Sequence, residues 1–69
     1  RSEVISYQQL SEAYNTMKEY ISIGDFRNVD EILKNLMDYE IPEDEIDKFN
    51  KIRELVLKVD AKKLLDILT

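Results

Sequence analysis

The chain repeats itself at a spacing of thirty-five residues. Glu19 to Leu33 aligns without a gap on Glu54 to Leu68, with Glu19/Glu54, Asp25/Asp60, Ile32/Ile67 and Leu33/Leu68 identical. Upstream, Tyr14-Asn15 falls on Phe49-Asn50, Met17 on Ile52 and Lys18 on Arg53. That period is the size of one helix–turn–helix unit. The 69 residues hold two such units, over about 6–40 and 41–69, so we read residues 1–69 as a single helical domain. Each hairpin alone would leave an apolar face in water, and stacking the two buries a shared core. An open solenoid needs about three repeats. Two copies are therefore expected to close on each other as a small antiparallel bundle, or to lean on a neighbour.

Helical periodicity supports this all-α reading four times over. Leu10, Ala13, Tyr14, Met17, Tyr20 and Ile21 mark one face of a first helix. Ser6 with Gln9 has the spacing of a capping box, and Ser2 is a second candidate start. Gly24 suits a left-handed helix end, and Asp25 can cap the next helix through its carboxylate. Phe26, Val29, Ile32, Leu33, Leu36 and Met37 form the second stripe, with Phe26 expected to be buried. That helix is expected to stop near Tyr39, since Pro42 biases Ile41 away from helical angles and itself suits the first position of a third helix.

The third stripe runs through Ile46, Phe49, Ile52, Leu55, Val56 and Val59. Asp44–Lys48, Asp47–Lys51 and Glu54–Lys58 are acid-before-base pairs four residues apart on its solvated face. Asp60 matches Asp25, so a break is expected there, although Val59 replaces the glycine and one continuous helix is the alternative. Ala61, Leu64, Leu65, Ile67 and Leu68 form the last stripe. There is no strand signal.

Composition removes whole classes of chemistry. The chain has no histidine and no cysteine. The commonest general base, the commonest metal ligand and any thiolate site are gone, and the lack of cysteine fits a reducing, cytoplasmic setting. A net charge of −5 disfavours nucleic acid and anionic membranes as partners. No apolar run approaches the roughly 20 residues of a membrane span. The chain opens on Arg1 rather than methionine, and reads as a piece of a larger protein.

Asp38, Glu40, Glu43, Asp44, Glu45 and Asp47 crowd one segment. A calcium loop needs a glycine at its sixth position and alternating ligands, and neither is present. Negative charge in a first helical turn explains the run better. Paired carboxylates also suggest acid–base work, which needs a cleft that so small a bundle hardly provides. We assign no catalytic, cofactor-binding or metal-binding residue, and expect no cofactor and no small-molecule substrate. Tyr7, Tyr39 and Leu57 lie off the stripes. Tyrosine pairs an apolar ring with a polar tip and is enriched in interfaces, so these three are the candidates for partner docking.

Ile23-Gly-Asp-Phe-Arg-Asn-Val-Asp-Glu-Ile-Leu33, then Tyr39-Glu-Ile-Pro-Glu-Asp-Glu45, then the second aspartate turn at Asp60, resemble a particular helical module. It is the C-terminal appendage that follows receiver domains in some bacterial hybrid sensor kinases and response regulators. The resemblance covers about residues 10–68. Val59 and Ala61 depart from it, standing where it has the glycine and the aromatic. It implies a non-catalytic interaction or regulatory module of a two-component signalling protein, whose partner is a neighbouring domain or a second copy of itself. A histidine phosphotransfer role is excluded by the missing histidine. The alternative is a tetratricopeptide-like adaptor that holds a peptide between its hairpins.

Overall fold

A computed structural model describes residues 3–69, so the candidate cap Ser2 lies outside the described residues. Four helices follow in order: α1 (Tyr7–Ser22), α2 (Phe26–Leu36), α3 (Ile46–Leu57) and α4 (Ala61–Leu68). A 3-10 turn, Glu43–Glu45, leads into α3. Among the described residues there is no strand, only an isolated bridge between Val4 and Glu40.

The local starts and stops follow from side-chain chemistry. Ser6 caps α1 through the complete box: its hydroxyl accepts from the Gln9 amide, and the Gln9 side chain accepts from the Ser6 amide. The two aspartate turns are near copies. Asp25 accepts from the Asn28 amide and Asp60 from the Lys63 amide, both at 3.2 Å. Upstream of each aspartate the helix ends in the same paired closure. The Gly24 amide donates to Ile21 O and the Asp25 amide to Tyr20 O; the Val59 amide donates to Val56 O and the Asp60 amide to Leu55 O. These satisfy carbonyls that a helix end leaves open.

The closure requires a left-handed residue. Gly24 meets this with φ 75°, and Val59 adopts φ 53°. The chain thus breaks at Asp60, as its repeat mate does, and does not run on as one helix. The conformation also turns Val59 out of the stripe on which its spacing placed it, leaving it 61% exposed.

The helix backbones approach one another in a ring, α1–α2–α3–α4–α1, and among the described residues no backbone approach crosses the diagonal. The centre is built from repeat-equivalent residues. Met17, Ile52, Val29 and Leu64 are the side chains at 0% exposure. Met17 and Ile52 are mates at the repeat spacing, as are Val29 and Leu64. Tyr14/Phe49, Ile21/Val56 and Leu33/Leu68 are also buried on both sides. The ring is uneven: α1 packs closely on α2 and α4, whereas α2 and α3 touch least.

Three expectations change. The second helix ends at Leu36, short of Tyr39, and Met37 passes from the stripe to 53% exposure. Pro42 does not open α3: it is extended (ψ 140°) and buried ahead of the 3-10 turn. Phe26 is half-buried, packing against the core from its edge. One contribution has no periodic signature. Ile5 is buried because the segment before α1 pairs with the α2–α3 linker, the Glu40 amide donating to Glu3 O and the Ile5 amide to Glu40 O.

Candidate functional site

Among the described residues, two surface concavities stand out. The first, about 210 Å³, lies where α2 and α3 part. Leu33 and Val56 form its floor, while Met37 and Leu57 stand at its edge. Leu57 is 86% exposed, far more than an apolar side chain needs to be. Its repeat mate, Ser22, is a polar residue whose hydroxyl donates to Lys18 O. A leucine therefore replaces a solvated position beside the loosest seam of the bundle. Asp30, Lys34 and Arg53 rim the groove. Lys34 is shared between Asp30 at 3.6 Å and Glu31 at 3.8 Å. Arg53 has no ion-pair partner among the described residues.

The second concavity, about 230 Å³, is more polar and lies between α1 and the start of α3, with Leu68 of α4 at its side. The Tyr7 hydroxyl donates to Asp44 Oδ1 at 2.7 Å. That bond to a carboxylate, followed by partial burial and the negative charges of Asp44 and Glu45, holds its pKa above the ordinary tyrosine value. Tyr14 is 6% exposed and its hydroxyl has no hydrogen-bond partner in the protein. Burial, reinforced by the Glu45 charge, pushes it up to about 12. The Lys48 ammonium lies 5.3 Å from the centre of the Tyr14 ring, a cation–π distance.

Those contacts re-sort the expected ion pairs. Glu54 does pair with Lys58, at 3.1 Å, but it also takes Lys51 at 3.4 Å. Asp44 is engaged by Tyr7, and Lys48 by the Tyr14 ring. Hydrogen bonding from Lys58, then the charges of Lys51 and Lys58, lowers the Glu54 pKa. The acidic run around Pro42 does not gather into a chelating group: among the described residues no three carboxylates could hold a metal ion together.

The three docking candidates do not form one patch. Tyr7 lines the polar cleft and Leu57 the apolar groove, while Tyr39 is half-buried against the core. Met37 joins Leu57 in the groove, which stripe counting missed because Met37 falls just past the last turn of α2. Tyr14, counted only as core, carries the orphaned hydroxyl. The chain matches no family model, and no curated protein or solved structure is significantly similar to it. Among the described residues no helix is long and apolar enough to cross a membrane.

Proposed function

We propose that this domain is a non-catalytic regulatory module of a bacterial two-component signalling protein, acting through protein contact. The two-component assignment rests on the resemblance of Ile23–Leu33 and Tyr39–Glu45, and the observation that supports protein contact is the groove at the α2–α3 seam. Two large apolar side chains, Met37 and Leu57, stand exposed around a shallow apolar floor, beside the Arg53 guanidinium. Exposed apolar area concentrated at a seam suits a protein partner. The occupant we favour is a helix of a neighbouring receiver domain, with an apolar face toward Leu57 and a carboxylate for Arg53. The mechanism is population shift: the partner stabilises the arrangement of α2 and α3 that fits it.

A tetratricopeptide-like adaptor is less well supported, because α4 packs on α1 and closes the ring instead of leaving an open concave face. The test is to read the full-length gene, where the proposal expects a receiver domain and its absence would overturn it, and to titrate the labelled chain with that domain by NMR. Shifts at Leu33, Met37, Arg53 and Leu57, lost in Leu57→Glu, are expected. Absence of binding, or shifts confined to the Tyr7 and Tyr14 cleft, would overturn the proposal.

A further inference from the structure

We infer that the α3–α4 turn is a strained hinge through which two copies of this chain exchange α4, forming a reciprocal dimer. This goes beyond the preceding reading and does not depend on it. The first observation is Val59. A β-branched residue at positive φ is an outlier, and here it occupies the position that its own repeat fills with Gly24. The second is the sequence around it. From Glu54 to Leu68 there is neither glycine nor proline, so no helix-breaking residue separates α3 from α4.

The third observation concerns Leu57. In the closed form it is 86% exposed. In a continuous helix Leu57, Ala61, Leu64 and Leu68 stand at i, i+4, i+7 and i+11, on one face. Opening the hinge thus converts an exposed leucine into part of the stripe that α4 already buries through Leu64 and Leu68.

Geometry then selects the partner. A helix from Ile46 to Leu68 is roughly 34 Å long at the α-helical rise and carries α4 away from its own α1. The α1 face that α4 leaves is apolar and must be covered again. A second copy offers the same α4 and needs the same cover, so the α1–α4 interface is remade between chains with its contacts unchanged. Short hinges under strain favour such exchange. The α1–α2 turn, relaxed at Gly24, has no equivalent reason to open.

The experiment is light scattering behind size-exclusion chromatography, on samples refolded at micromolar to millimolar concentration. Parent, Val59→Gly and Asp60→Ala chains are compared. The parent is expected to form a dimer at the upper end of that range. Val59→Gly relaxes the closed turn and weakens the continuous helix. Both effects act against exchange, by about ten-fold at each hinge, or about a hundred-fold in the dimer dissociation constant. Asp60→Ala removes a cap that only the closed form uses, and tightens the dimer by about ten-fold per hinge. The glycine variant is expected to fold at least as well as the parent, so the comparison stands even where Asp60→Ala fails to fold. Monomers throughout for all three chains would overturn the inference. So would a dimer indifferent to Val59→Gly, which would be a surface contact rather than an exchange.

Discussion

Substituting Val59 by Gly should stabilise the monomer, and the size of the effect follows from comparing the two turns. Both close with the same pair of backbone hydrogen bonds, but one uses glycine at φ 75° and the other valine at φ 53°. A side chain in the left-handed region costs about 1–2 kcal/mol. Glycine returns part of this by widening the unfolded ensemble, about 0.5–1 kcal/mol. The valine side chain is 61% exposed, so little burial is forfeited. The net expectation is a gain of about 0.5–1 kcal/mol, which for a domain of this size raises Tm by roughly 2–8 °C. Gly24→Ala is the reverse control. A Cβ there meets nothing within 4 Å, so its cost is conformational alone, about 1 kcal/mol. The assay is thermal unfolding by circular dichroism at a concentration where the chain is monomeric. A Val59→Gly variant that melts lower than the parent would refute the reasoning, since it would place residue 59 inside a helix in solution.

Other expectations follow from the same contacts. Asp25→Ala and Asp60→Ala should each cost about 0.5–2 kcal/mol in urea unfolding, with Asp25→Ala the larger, because the Asn28 side chain also donates to Asp25, at 2.7 Å, and Asp60 has no such second bond among the described residues. Tyr14→Phe should be neutral or stabilising by up to about 1 kcal/mol at pH 7, because it removes a buried hydroxyl with no partner; a large loss would mean the hydroxyl is engaged in solution. The raised tyrosine makes a pH prediction as well. Its folded pKa of about 12 exceeds the ordinary 10.0, so its contribution is complete below pH 10 and is lost as pH rises toward 12. Alkaline melts should show this loss in the parent and less of it in Tyr14→Phe. Leu64→Ala, at a position with no exposure, should cost about 2–5 kcal/mol, whereas half-buried Phe26→Ala should cost clearly less; comparable losses in chemical denaturation would contradict the burial pattern.

What the sequence by itself determined is whatever repeats or is local. The thirty-five-residue match placed both hairpins, and the four side chains at the centre are two pairs of repeat mates. The capping box at Ser6 and the caps at Asp25 and Asp60 were legible because a cap joins residues three apart. Periodicity identified the stripes because a helix exposes one face to its neighbours whatever those neighbours are. The tertiary structure decided everything that joins distant segments. Ile5 is buried through pairing with Glu40, and the Tyr7 hydroxyl reaches Asp44, although neither pair carries a spacing signal. The same holds for the α2–α3 groove, where Met37, Arg53 and Leu57 come together because that seam packs least. Val59 shows both influences at once. Its own preferences favour continuing the helix, and the packing of α4 against α1 holds it left-handed instead, because burying Leu64 and Leu68 outweighs the strain of a single residue.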